Sequence, residues 1–385
     1  MIPVAKPAFG AEEEAAVIRV LRSGWVTQGP EVAAFEKDFA AYVGAPYACA
    51  VSNCTTGLHM ALLALGVGPG DEVVTVSHSF IATANAVVYC GAVPVFIDID
   101  PATYNIDPSL IEARITERTK AILCVHQIGM PCDLPALKAI ADRHGLVLIE
   151  DAACAAGSEI EVNGRWEKIG QPHGHVAVFS FHPRKILVTG EGGMLTTADP
   201  ALDSAFRKLR HHGMSVSDVE RHRSKTVTFE TYTMVGYNYR MTDLQAAVGR
   251  EQLRRLPATV ARRRELAARY SEILGAIGGF GVPQEPAWAR TNWQSYCVRL
   301  PEGCDQQAVI QTLLDQGISV RRGIMNAHEE PAYEEAPWKP GPEDRAALAE
   351  SERAHRQCLI LPMPSDMTEA DVQTVCDALR AACAL

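Results

Sequence analysis

No basic excess marks this sequence: its 385 residues carry 46 acidic and 36 basic side chains, a net charge of −10. A sequence-independent nucleic-acid binder needs the opposite balance, because cationic surface must displace the counterions of the phosphates. No unbroken apolar run reaches the roughly 18 residues of a membrane span. The start, Met1 to Gly24, lacks the apolar core of a secretion signal and reads as an extended piece followed by an acidic-to-basic helix. Internal repeats and low-complexity tracts are absent too. The eleven cysteines include no Cys-x-x-Cys pair and no cluster with histidine at zinc-finger spacing, so no metal is expected. An odd, scattered set, with Cys90, Cys124, Cys297, Cys358 and Cys376 inside apolar segments, fits a reduced cytoplasmic protein that uses thiols as small core residues. Neither a nucleic-acid nor a membrane partner is expected.

What is present is ordinary globular composition, 47% apolar and 21% charged. The length exceeds one typical core, which predicts two domains, residues 1–245 and 246–385. In the first, Pro30 and Glu31 open a helix with Val32, Phe35, Phe39 and Val43 at helical spacing, closed by Gly44. Short apolar runs follow at Tyr47–Val51, Glu72–Val76, Val93–Ile97, Ala121–Val125, Leu146–Ile149 and His175–Phe179. None alternates with polar residues, as expected of strands buried on both faces. Helical stretches such as Pro135–His144 lie between them, so the pattern predicts an α/β fold with a mostly parallel sheet flanked by helices. A long helix from about Met241 past Arg264 leads into a smaller α+β domain. Its expected strands are Tyr296–Arg299, Ile318–Val320 and Cys358–Leu361, and Thr368 caps its last helix.

Parallel sheets bind ligands at the carboxyl ends of their strands. Lys185 follows one such end, before the glycine-rich turn Gly190 to Gly193. A lysine there is costly unless its charge is lost or paired, and imine formation with an aldehyde cofactor is one use for such an amine. A lysine reaching out to water would look the same. Asp151 ends another run, where a carboxylate could hold a pyridinium nitrogen protonated, or cap the next helix. Ser52-Asn53-Cys54-Thr55-Thr56-Gly57 precedes a helix and offers hydroxyls and free N–H groups to a phosphate, although capping residues look alike. Phe80 follows a third strand end and could stack on a flat heterocycle or pack in the core.

In that order along the chain, these elements resemble the DegT/DnrJ/EryC1/StrS family of pyridoxal-5′-phosphate (PLP) sugar aminotransferases, of the type I (aspartate-aminotransferase) fold. The matching blocks are Ser23-Gly24-Trp25-Val26-Thr27-Gln28-Gly29-Pro30, Gly68-Pro69-Gly70-Asp71, Ala82-Thr83-Ala84-Asn85, Gly91-Ala92-Val93-Pro94, Glu150-Asp151-Ala152-Ala153, Ser180-Phe181-His182 with Lys185, Thr189-Gly190-Glu191-Gly192-Gly193, and Gly236-Tyr237-Asn238-Tyr239-Arg240. The resemblance implies that Lys185 bonds to PLP and shuttles the proton, and that Asp151 pairs with the pyridine nitrogen. By the same resemblance Phe80 stacks on the ring, and Thr55, Thr56 and Ser180 hold the phosphate. Asn238 would reach the phosphate in the neighbouring subunit, making a homodimer with a shared site. Arg240 would take the amino donor's carboxylate, and Trp25, Thr27, His182 and His328 would line the substrate space.

The sequence departs from the family pattern at several points. Cys154 stands where a Gln or His usually approaches the ring's phenolic oxygen, and Ala156 replaces a frequent His. The usual Pro-x-x-Thr-aromatic run is Val76-Ser77-His78-Ser79-Phe80 here. A Tyr-x-Pro-Leu-His stretch has become Gly323 to His328. The implied reaction moves an amino group from glutamate or glutamine to a keto-sugar on a nucleoside diphosphate, a 4-keto-6-deoxyhexose first. Alternatives are a 3-keto-sugar or keto-cyclitol acceptor, a sugar dehydratase (whose members replace the lysine with His), and a non-catalytic regulatory protein.

Overall fold

The computed structural model describes residues 1–216, 227, 229–335, 338 and 347–385. Helices α1 (Ala11–Ser23) and α2 (Pro30–Val43) come first. Helix α2 has proline at its first position and stops at Gly44, whose φ of 82° is left-handed and whose N–H bonds Ala40 O. Strand β1 (Tyr47–Val51), α3 (Cys54–Ala64), β2 (Glu72–Val76), α4 (Ala82–Tyr89), β3 (Val93–Ile97), β4 (Thr119–Val125), α5 (Leu134–His144) and β5 (Val147–Asp151) follow. Then come a hairpin of β6 (Glu159–Val162) and β7 (Arg165–Lys168), β8 (Val176–Ser180), β9 (Gly193–Thr197) and α6 (Pro200–Leu209). The long α7 (Asp243–Ile277) leads to β10 (Ala289–Arg290), β11 (Tyr296–Arg299), α8 (Gln306–Asp315), β12 (Arg321–Arg322), α9 (Ala349–Gln357), β13 (Cys358–Leu361) and α10 (Glu369–Ala382).

Seven strands form one sheet in the order β1-β9-β8-β5-β4-β2-β3. Its pairings from β8 to β3 are parallel, and β9 runs against both its neighbours, so β1 points the same way as β8. Helices cover both faces, which is why the strand sequences are apolar without alternation. On one face Val32 and Phe35 of α2, Leu137 of α5 and Leu256 of α7 share a core. On the other, Leu58 of α3, Val87 of α4 and Phe206 of α6 share a second. A third core joins Leu266, Tyr270 and Leu274 of α7 to the antiparallel sheet β11-β13-β12 with α8 and α10. Helix α7 contributes to both the first and the third of these cores. No helix among the described residues is long and apolar enough to cross a membrane.

The expected strands are present with ends shifted by at most two residues, except Ile318–Val320. The strand there is Arg321–Arg322, and Ile318 instead makes an isolated bridge to Ile2, with Ile2 N–H on Gly317 O at 2.8 Å. Both Ile318 and Val320 are buried. Apolarity there signals burial, but it does not say which backbone pairs. The hairpin β6–β7 gives no such signal, because charged Glu159, Glu161, Arg165 and Glu167 occupy it.

Candidate active site

The parallel register brings the carboxyl ends of the central strands to one edge. Val51 of β1 lies beside Gly193, Gly193 beside Ser180, Asp151 beside Val178, and Val125 beside Asp151. Asn53 to Thr56, Asp151, Cys154, Ser180 and Lys185 lie at or just after these ends.

Helix α3 starts at this edge. Asn53 is its cap, with its side chain accepting the Thr56 N–H at 2.9 Å. Thr56 Oγ1 also donates to Asn53 O at 2.8 Å and lies 3.2 Å from Ser52 Oγ. Among the described residues no hydrogen bond engages the N–H groups of Cys54 and Thr55 or the Thr55 hydroxyl. Free donors at a helix N-terminus suit a dianionic phosphate. Gly193 is what lets β9 start so close: a Cβ there would stand 2.7 Å from Asn53 C and 2.8 Å from Cys54 N. The Tyr239 carbonyl accepts Ser52 N–H at 2.8 Å, which ties the 236–240 segment to the same edge.

Asp151 is buried, its Oδ2 bonded by the Thr83 hydroxyl at 2.8 Å and its Oδ1 by the Ala153 N–H at 3.1 Å. Burial raises its pKa, and Thr83, Ala153, Lys185 and His126 offset that only in part. A buried carboxylate left short of positive charge is the partner that a protonated pyridine nitrogen requires. Lys185 is half-buried, and its Nζ donates to Cys154 Sγ at 3.0 Å. Burial lowers the pKa of the free amine, but Cys154, Cys54 and Asp151 outweigh it and hold the amine above its usual value. Phosphate donors, a cation-seeking carboxylate and a buried amine on one edge are the donor set that PLP fits.

The remaining expected residues fall in three groups. Cys154 and Ser180 are half-buried at the edge itself, with Thr55 and Thr56 across it. Half-buried His182 lies two residues after Ser180, and burial, then Arg184, lowers its pKa. Arg240 is half-buried, and its Nη1 is enclosed without a hydrogen-bond partner among the described residues. The second group is open to solvent. Phe80 is 62% exposed, and Asn238 is exposed between Tyr237 and Tyr239, whose rings stack 4.8 Å apart. The third group stands back. Trp25 bonds Gln28 O through Nε1, and the Thr27 carbonyl receives Asp243 N–H, so that loop is pinned to the start of α7. His328 is buried, with Nδ1 on Ser77 Oγ at 2.6 Å and Nε2 facing Glu352 at 3.6 Å. It ties Ser77, just after β2, to the 323–329 segment. The departures His78 and Asn326 bond each other at 2.8 Å in the same buried tie.

Sequence reasoning passed over Thr83, Asn292 and Gln294. Asn292 Nδ2 donates to the Cys154 and Ala156 carbonyls at 2.8 and 2.9 Å. Gln294 accepts Ile186 N–H at 2.8 Å and donates to Arg184 O at 2.7 Å, clasping both sides of Lys185. Only Thr83 left a signal, inside the Ala82–Asn85 block; the other two sit in no motif.

The model of the DegT/DnrJ/EryC1/StrS aminotransferase family matches residues 7–380. The spore coat polysaccharide biosynthesis protein SpsC of Bacillus subtilis (strain 168) is 40% identical over 385 residues, 98% of this chain and 96% of that protein. The solved structure of the aminotransferase TlmJ from Streptoalloteichus hindustanus superposes with a TM-score of 0.89 at 38% identity, covering 100% of this chain and 99% of that one. The PLP-form of Spr1654 from Streptococcus pneumoniae gives 0.90 at 25% identity, covering 100% and 98%. With this coverage, and with the lysine, carboxylate and helix N-terminus at one sheet edge, the chain belongs to the DegT/DnrJ/EryC1/StrS aminotransferase family.

Proposed function

We propose that this PLP-dependent aminotransferase moves an amino group from glutamate or glutamine to a keto-sugar carried on a nucleoside diphosphate, with a 4-keto-6-deoxyhexose as first acceptor. The observation that carries the reading is the meeting of Lys185, Asp151 and the open N-terminus of α3 at one edge. SpsC, 40% identical, is named for spore coat polysaccharide biosynthesis, which supports a sugar acceptor here. Eleven free cysteines suit the reducing cytoplasm as the place of work.

PLP, when bound, supplies a carbonyl carbon for the amino group and a ring that spreads the electrons of the broken C–H bond. The residues around it bind, orient and move the proton. Thr55, Thr56 and Ser180 hold the phosphate with the first N–H groups of α3. Asp151, steadied by Thr83, keeps a proton on the pyridine nitrogen, and Phe80 lies on the ring. Lys185 anchors the cofactor and, once released, carries the proton to and from the substrate carbon. The Arg240 fork takes the donor's carboxylate through the nitrogen left without a partner. Trp25, Thr27 and His182 border the acceptor.

The working unit on this reading is a homodimer in which Asn238 of one copy serves the phosphate of the other. Exposed Val235, 86% open and three residues before Asn238, gives a second copy apolar surface to cover.

Glutamate-treated enzyme, freed of excess amino acid and mixed with a panel of keto-sugar nucleotides, tests the acceptor. The cofactor's visible band should return with a nucleoside-diphosphate keto-sugar. Return only with a keto-cyclitol would overturn the nucleotide-sugar assignment.

A further inference from the structure

We propose that Cys154 is a positioning residue for Lys185, its sulfur holding and aiming the free amine whenever the lysine is not bonded to the cofactor. This rests on the reading of Lys185 as the anchor, and it assigns the thiol to the lysine rather than to the ring oxygen.

The contact is built from both sides. Lys185 Nζ donates to Cys154 Sγ at 3.0 Å. The three-residue segment Asn292–Gln294 fixes both partners at once. Asn292 holds the Cys154 carbonyl, and Gln294 holds the peptides on either side of Lys185. One segment thus seats the backbone that carries both contacting side chains.

The chemistry of sulfur suits the task. In a transamination the lysine is freed in one half of the cycle and must re-form its bond in the other. A carboxylate at 3 Å would hold the amine as ammonium, which is neither nucleophile nor base. Sulfur is the weaker acceptor: Cys154 aims the amine and favours its protonated form, but less firmly than a carboxylate at that distance would. Asp151 is close enough to act on Lys185 electrostatically, yet its oxygens are already engaged by Thr83 and the Ala153 N–H. Cys154 is therefore the side chain whose hydrogen bond directs Nζ. Its contribution to the raised pKa of Lys185 exceeds that of Asp151, as a direct contact should.

The test uses full-length enzyme stripped of cofactor and follows the visible band that forms when PLP is added, across a pH series. The Cys154→Ala variant should capture PLP about ten- to a hundredfold more slowly, the cost of a misaimed nucleophile. Its pH midpoint for capture should fall, because a group that holds the proton on Lys185 has gone. Cys154→Ser should restore much of the rate and move the midpoint back. Equal rate and midpoint in Cys154→Ala and wild type would overturn the proposal. So would a loss in Cys154→Ala that Cys154→Ser does not repair, which marks packing alone. Failure of wild-type protein to form the band, or an undiminished band in Lys185→Ala, would instead refute Lys185 as the anchor.

Discussion

The Thr83 hydroxyl donates to Asp151 Oδ2 at 2.8 Å, and Ser79 Oγ stands 2.8 Å behind it on Thr83 Oγ1. One helical residue of α4 thus orients the carboxylate at the end of β5. Hydrogen bonds to charged groups contribute about 1.5–3 kcal/mol, so Thr83→Val should weaken PLP binding roughly 10- to 100-fold. Thr83→Ser should retain most of the affinity. Titration of the visible band with PLP measures both.

Asp151 itself links catalysis to stability. Replacing it with Asn removes the charge beside the pyridine nitrogen and should slow turnover by about 10²–10³-fold. The cofactor-free chain should respond the opposite way. Burial raises the Asp151 pKa above its unfolded value, so the folded chain binds more protons there than the unfolded chain. That contribution disfavours the fold increasingly as pH rises from the unfolded pKa through the folded one. Cofactor-free Asp151→Asn should therefore melt higher than wild type near pH 7, with the gap closing toward acid pH. Calorimetry across that range checks the sign.

Arg240 has an enclosed nitrogen with no hydrogen-bond partner among the described residues. Arg240→Lys keeps the charge but loses the fork, so the glutamate concentration that bleaches half of the visible band should rise about 10- to 100-fold. The band before glutamate is added should be unchanged. An equal glutamate requirement would remove Arg240 from the donor subsite.

Asn238 is exposed in one chain, and its proposed target lies in another. Lys185→Ala and Asn238→Ala should each lose most activity alone. Mixed dimers would hold one native site, so after random reassortment about a quarter of wild-type activity should return, as two-fold symmetry requires. No recovery, with exchange of subunits verified by mass, would show that the sites are not shared.

Strand positions and the Lys185–Asp151 edge were legible because buried parallel strands write continuous apolar runs and put polar residues at their ends. The packing of His328 was not legible. Its block matched a substrate motif, but Ser77 and Glu352 reach it through folding from 251 and 24 positions away, and sequence spacing does not encode that. Asn292 and Gln294 were invisible for a related reason: they act by holding carbonyls and N–H groups, which every residue possesses. The exposure of Phe80 was equally unreadable, since an aromatic after a strand end is written alike whether it faces the core or the edge.

The central claim is that Lys185 bonds the cofactor. Borohydride reduction of PLP-loaded enzyme, followed by peptide mass mapping, tests it most directly. The account expects the added mass on the peptide carrying Lys185, and its loss from that peptide when glutamate precedes the borohydride. Label on another lysine, or label on the Lys185 peptide that glutamate does not diminish, would contradict it.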